Sequence, residues 1–248
     1  MFAVITKKQL ATFFAVIIVI VVLCSGITLM TVSAEKKLVP IYYTDRADAV
    51  SISFDAAWGS DKTKRIVDCC REYRIKATFF LTGFWIDANP EMVKYIHEAG
   101  FEIGNHSENH YNMSGLSKKN VDQEIESVNN KIQNLTGVKP TLFRPPFGDY
   151  NNTLIKSLND KKMYCIQWNV DSLDWKGLSA SEIENRVLSE IEGGSICLFH
   201  NNSDHIVEAL PRIIEGIFAK GLKIVPIGEL IHKDGFSIDS NGKQIKNN

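Results

Sequence analysis

No excess of charge marks this sequence. It has 28 Lys and Arg against 29 Asp and Glu in 248 residues. A nucleic-acid surface needs a clustered basic excess, so no nucleic-acid partner is expected. Cysteine is scarce as well, with five in the chain. Cys24 lies in an apolar N-terminal run, Cys69 and Cys70 are adjacent in a helical pattern, and Cys165 and Cys197 sit in strand-like runs. No spacing resembles a zinc cluster or a disulfide framework. They read as small buried hydrophobes, with an occasional disulfide left open.

Charge is absent altogether from Leu10 to Ala34, with Lys7 and Lys8 ahead of the run and Glu35 behind it. A bilayer core takes roughly 20 apolar residues, so this run is long enough to span one. Lysines on its leading side predict a cytoplasmic N-terminus and a domain on the extracellular side, a single-pass protein of the cell membrane. A cleavable signal is the rival, because Val32-Ser33-Ala34 resembles a small-residue cleavage site. The run exceeds the usual signal core of roughly 7–15 residues, which favours an uncleaved anchor over 1–34. Leu23 directly before Cys24 argues against a lipoprotein signal.

Residues 35–47 read as a linker. From 48 to 232 strand-like runs alternate with helical patterns, and 233–248 reads as a tail. AVSISF precedes KTKRIVDCCREYR, ATFFLTG precedes PEMVKYIHEAG, and FEIGNH, TLFRPP, MYCIQWNV, SICLFH and LKIVPI continue the alternation. This pattern predicts βα units and a largely parallel sheet. Seven or so units in about 190 residues predict an α/β fold with a closed or nearly closed barrel. In such barrels functional side chains gather at the C-terminal strand ends. Asp55, His106, Arg144, Asp171 with Asp174, and His200 each fall directly after a strand-like run.

The residue types suit hydrolysis. His106 and His110 are four apart, and on a helix or tight helical turn both imidazoles reach one ion. Two imidazoles and a carboxylate such as Asp55 make a common hydrolytic metal site. Arg144 can hold a carboxylate ionised. The proline turn after it aims the backbone N–H of Phe147 or Gly148 into the mouth as an oxyanion donor. His200, held by a carboxylate, can act as a general acid. Trp175 offers a flat apolar wall.

In this order SFDAAWG, HSENH, RPPFG, DSLDW and LFH resemble the motifs of the polysaccharide deacetylase family, the NodB-homology domain or fourth family of carbohydrate esterases. The resemblance covers roughly residues 48–232. It implies a distorted (β/α) barrel of about seven strands and metal-dependent removal of acetyl groups from N-acetylated sugars. Asp55 matches the general base, His106 and His110 the metal-binding histidines, and Arg144 the residue that tunes the base. Phe147 matches the oxyanion donor, His200 the general acid and Asp174 its orienting partner. Leu198 and Trp175 match apolar walls around the acetyl group. Zinc is the expected metal, with cobalt or nickel as alternatives. The expected partner is a cell-wall glycan, peptidoglycan first, and the expected state a monomer.

The family pattern has two consecutive acids, and here the second is Ala56. That departure looks most like the sporulation-associated, membrane-anchored PdaB-like members. It leaves three outcomes: Asp55 ligates the metal itself, Asp61 substitutes, or the domain binds glycan without turning it over. A hydrolase of another acyl or amide substrate is a third class of reading.

Overall fold

A computed structural model describes residues 6–25 and 35–247, in two units, Met1–Lys36 and Lys37–Asn248. The first unit contains helix α1, Lys7–Ser25. This helix opens on Lys7, Lys8 and Gln9. Among the described residues no helix is long and apolar enough to cross a membrane, so the expected spanning helix is not recovered over them. The remainder of the uncharged run, 26–34, with the cleavage candidate Val32-Ser33-Ala34, lies outside the described residues.

The second unit starts with β1 (Tyr43–Thr44) and the eight-residue β2 (Ala49–Ala56). Alternation along β2 sorts its side chains by parity. Val50, Ile52, Phe54 and Ala56 join the large apolar cluster shared with the helices, and Ser51, Ser53 and Asp55 face the other way. All eight are buried, so the serines need acceptors. Ser51 Oγ donates to the Val225 carbonyl at 2.6 Å and Ser53 Oγ to that of Cys197 at 2.7 Å.

Next come β3 (Thr78–Leu81), β4 (Glu102–Asn105), β5 (Leu142–Phe143), β6 (Tyr164–Cys165), β7 (Val170–Asp171) and β8 (Ile196–His200). The sheet runs β6-β5-β4-β3-β2-β8-β7, with every pair parallel. The short β9 (Lys223–Ile224) pairs with the start of β2. The two end strands, β6 and β7, are joined by residues 166–169 alone. A link of that length spans at most about 18 Å fully extended, so the sheet must curl back on itself. The result is a curled, seven-stranded parallel half-barrel, as the alternation predicts.

MYCIQWNV, expected as one strand, is instead split into β6 and β7. Its middle residues bond elsewhere: the Gln167 N–H donates to the Ile41 carbonyl, and Asn169 Oδ1 accepts the Ile196 N–H at 2.9 Å. Residues read as linker and tail contribute β1, β10 (Phe236–Ile238) and β11 (Lys243–Lys246), which form a separate sheet in the order β1-β11-β10.

The helices are α2 (Thr63–Glu72), α3 (Gly83–Ala88), α4 (Pro90–Glu98), α5 (Lys118–Thr136), α6 (Asn152–Asp160), α7 (Ala180–Glu190), α8 (Ile206–Ala219) and α9 (Ile227–Leu230). Helix α7 opens with a capping box between Ser179 and Glu182, and α5 closes on Gly137 at φ 75°. Cys70, Cys165 and Cys197 are buried, Cys69 is half-buried, and all four are free.

Candidate active site

Parallel register places Asp55 of β2 directly beside His200 of β8 and Phe80 of β3. One carboxylate at the centre of the sheet therefore meets groups from several strand ends. Arg144, which follows β5, is wholly buried. Its Nη1 donates to Asp55 Oδ1 at 2.8 Å and its Nη2 to the Gln167 carbonyl at 3.3 Å. The guanidinium also lies 4.2 Å from the Phe80 ring centroid. Burial alone would raise the Asp55 pKa, but Arg144, with His106 and His200, holds it below the usual carboxylate value.

His106 is equally buried. Its Nδ1 lies 2.7 Å from the Arg144 carbonyl, which can only accept, so Nδ1 carries the proton. Nε2 is left with its lone pair, 3.5 Å from Asp55 Oδ2. Burial, the leading effect, lowers the His106 pKa and keeps the ring neutral.

The helical turn expected for HSENH is not formed. Ser107 and His110 are left-handed, at φ 67° and 56°. Side chains impose this path. Asn105 Oδ1 accepts the Ser107 N–H at 2.8 Å, Ser107 Oγ accepts the His110 N–H at 3.1 Å, and Glu124 on α5 binds Asn109 at both N–H and Nδ2. The bend still brings the two imidazoles together, with centroids 5.0 Å apart at 71°. Burial, followed by the charge effect of His106, pushes the His110 pKa down to about 4.

These residues fit a divalent cation only in part. The Nε2 lone pair of His106 facing the Asp55 carboxylate is a pair of acceptors that a cation would bridge, and Nδ1 bound to a carbonyl is the usual orienting contact of a metal-binding histidine. Yet among the described residues no group of three or more His, Cys, Asp or Glu is placed to hold a metal ion. Ala56 is one reason, since it carries no donor. Asp61 does not replace it: its side chain is largely exposed and pairs at 3.7 Å with Lys62.

On the other side of Asp55, Asp174 grips His200 twice. Oδ1 lies 2.8 Å from His200 Nδ1, and Oδ2 accepts the His200 backbone N–H at 2.9 Å. Burial opposes the imidazolium, but the Asp174 hydrogen bond and charge outweigh it and raise the His200 pKa above 6.5. Stability from this pair is fully present below about pH 6.5 and is lost as pH rises through the raised folded value. Replacing Asp174 by Asn leaves burial less opposed. An NMR titration of the His200 ring in Asp174→Asn is expected to show a midpoint below that of the wild type. An unchanged midpoint would remove Asp174 as the cause.

The remaining candidates divide. Phe147 sits at φ 58°, ψ 9°, a strained conformation for a bulky residue. Its ring meets His110 at 4.6 Å, and its N–H makes no hydrogen bond among the described residues. The Gly148 N–H is consumed by the Pro145 carbonyl, so only Phe147 can serve as the oxyanion donor. Leu198 is buried on β8, two residues before His200 and on the same strand face. Trp175 is exposed after β7. Asp171, in register with Leu198, spends Oδ1 on the Leu173 N–H at 2.9 Å, and its charge adds to that of Asp174 in raising the His200 pKa.

The sequence reading missed three contributors. Gln167 ties the site together, since its carbonyl receives Arg144 and its Nε2 donates to the Gly148 carbonyl at 2.9 Å. Asn201 Nδ2 donates to the Gly59 carbonyl at 2.8 Å, fixing the loop after Asp55. Trp58, in the quoted SFDAAWG, packs edge-on against His110 at 5.0 Å. A polar residue within an apolar run, as Gln167 is, was the one available signal.

The sequence model of the family described as polysaccharide deacetylase matches residues 43–166. The chain is 34% identical over 191 residues to the Bacillus subtilis protein YlxY, an uncharacterized protein, covering 76% of this chain and 60% of that one. It is 31% identical over 207 residues to a Bacillus cereus peptidoglycan-N-acetylglucosamine deacetylase, covering 79% of this chain and 97% of the relative. Among solved structures it resembles a mutant, with restored enzymatic activity, of a carbohydrate esterase family 4 pseudoenzyme. The wild-type pseudoenzyme is from Bacillus anthracis. Against the mutant the TM-score is 0.75 at 34% identity, covering 82% of this chain and 72% of that one. The chain thus spans less than two thirds of YlxY but nearly the whole of the shorter deacetylase. Its strand-end constellation falls in the order of the family's motifs, and on these grounds the chain belongs to the polysaccharide deacetylase family.

Proposed function

We propose that this protein hydrolyses N-acetyl groups on the amino sugars of a cell-wall polysaccharide, with peptidoglycan as the substrate. The observation that carries the reading is the meeting, at one sheet end, of the Asp55–Arg144 pair and the Asp174–His200 pair. Amide hydrolysis needs a proton acceptor for the attacking water, a donor for the developing oxyanion and an acid for the leaving amine. Asp55, kept ionised by Arg144, takes the first role. The free Phe147 N–H takes the second, and His200, whose pKa Asp174 raises, takes the third. Water adds to the acetyl carbon, the C–N bond breaks, and the sugar nitrogen leaves with a proton from His200 while acetate is released. Leu198 and Trp175 supply apolar surface near the acetyl methyl. A divalent cation held through His106 and His110, zinc before cobalt or nickel, would add Lewis-acid polarisation and a more acidic water when bound.

Sequence likeness to named peptidoglycan deacetylases supports the substrate class. The uncharged N-terminal run supports a membrane-tethered protein acting outside the cell, and the PdaB-like motif supports a sporulation role. A second reading, a glycan-binding barrel of low or no turnover, is favoured by one observation, the missing carboxylate at Ala56, and by the likeness to a pseudoenzyme. Acetate release separates the two. The purified chain with zinc or cobalt is expected to release acetate from N-acetylglucosamine oligomers or peptidoglycan, and His110→Ala to abolish the release. Glycan binding without acetate under any divalent metal would leave the second reading.

A further inference from the structure

In the second unit, exposed aromatic rings gather at one end of the sheet. Trp58, Tyr111, Phe147 and Trp175 are 58%, 54%, 67% and 59% exposed. They lie in the segments that follow β2, β4, β5 and β7. A cluster of exposed rings on a soluble fold marks a binding surface more often than chance would. Trp58 carries the argument furthest, because its loop cannot fold the ring inward.

That loop is fixed at several points by buried groups. The Gly59 carbonyl accepts the indole N–H of Trp85 at 2.6 Å and the side-chain amide of Asn201 at 2.8 Å. The Ala56 carbonyl accepts the Thr82 N–H at 3.1 Å, and the Asn201 N–H donates to the Asp55 carbonyl at 3.1 Å. Gly59 itself is at φ 62°, with Asn202 Cβ 3.3 Å from where a side chain would begin. The Trp58 ring is propped edge-on against His110 at 5.0 Å and tilted against Phe84 at 6.1 Å. Phe147 meets the same imidazole at 4.6 Å. His110 thus supports two outward rings, one on each of two rigid turns. Leaving so much aromatic surface in water forfeits burial energy, on the order of 25 cal/mol per Å². A rigid loop that keeps the ring exposed gives a preorganised contact for a ligand with an apolar face.

The C–H face of a pyranose is such a ligand. The geometry points to Trp58, acting with Phe147, as an aromatic clamp that stacks on the sugar rings of an amino-sugar oligomer and binds it whether or not an acetyl group is removed. This rests on the proposed glycan substrate and adds a residue that the hydrolytic constellation does not use. It also assigns the AAWG loop a role that survives the loss of the second carboxylate.

Isothermal titration of the full chain with the N-acetylglucosamine tetramer, in EDTA, tests it. Trp58→Ala is expected to weaken binding about tenfold or more, while Trp58→Phe keeps most of it. Phe218→Ala, an exposed ring on α8, serves as the control and is expected to bind as the wild type does. Since Trp58 is more than half exposed, the melting temperature of each variant should stay near that of the parent, which separates lost binding from lost folding. Equal affinity in Trp58→Ala and wild type, or no binding by the wild type, overturns the clamp. Acetate release with Trp58-independent binding would sink the clamp alone, and Trp58-dependent binding without acetate would sink the hydrolysis alone.

Discussion

Replacing Arg144 by leucine is expected to destabilise the second unit by about 3–5 kcal/mol, the usual cost of leaving one buried charge without its partner. Arg144 and Asp55 are both buried, and the 2.8 Å bond between them lies in the middle of the sheet. Lysine should rescue little, because the guanidinium also reaches the Gln167 carbonyl and lies over the Phe80 ring. The pH dependence identifies the cause. In the wild type the Asp55 pKa is depressed below 3.8, so the pair's stability is present above that pH and fades as pH falls through the folded value. In the variant, burial acts without the guanidinium against it, and the carboxyl becomes harder to ionise. The stability gap between the two proteins, read from urea midpoints, is therefore expected to be widest near neutral pH and to narrow in acid. A gap that stays constant with pH would assign the loss to packing. Asp55→Asn placed on the Arg144→Leu background should recover part of the loss by removing the stranded charge.

The residues of this site were legible because chemistry and position coincide in the sequence: acids, imidazoles and a guanidinium stand directly after apolar runs, where a parallel sheet ends its strands. Asp55, His106, Arg144, Asp174 and His200 meet there. What sequence could not show was how the chain arrives. The i, i+4 spacing of His106 and His110 suggested a helical turn, but the Asn105 and Ser107 side chains compete for backbone N–H groups and drive a left-handed path instead. MYCIQWNV carries no breaker, yet Asn169 bonds to Ile196 of β8 and Gln167 to Ile41 ahead of β1, and these contacts divide it. The β10–β11 hairpin reads as a polar tail because its strands are short and half exposed, and its pairing with β1 joins residues about two hundred positions apart. Trp58 was visible in SFDAAWG, but exposure is a property of the finished loop. It depends on Trp85 and Asn201, which no local pattern connects to Gly59.

Ala56→Asp should recover part of its lost stability when metal is present. Without a cation the variant is expected to melt well below the wild type. Ala56 is wholly buried, in the cluster with Ile52 and Phe54, and an unpaired carboxylate there costs several kcal/mol. Asp55 is the preceding residue, and a second negative charge beside it adds to the cost. A divalent cation changes the balance, because His106 and His110 already lie within reach of each other and, among the described residues, no third His, Cys, Asp or Glu is placed to complete the group. A ligand that binds only the folded state stabilises it by about 2.7 kcal/mol at a hundredfold excess over its Kd. Unfolding followed with and without zinc should therefore show a larger zinc-induced rise in Ala56→Asp than in the wild type, and His110→Ala should remove that difference. Strand alternation sets the condition: Ala56 Cβ lies on the opposite parity from Asp55, so the new carboxylate reaches the histidines only if the last residue of β2 swings toward the mouth. If zinc shifts both proteins equally, that swing does not occur, and the loss of the second acid is then fixed in the backbone path of this barrel and not in one side chain.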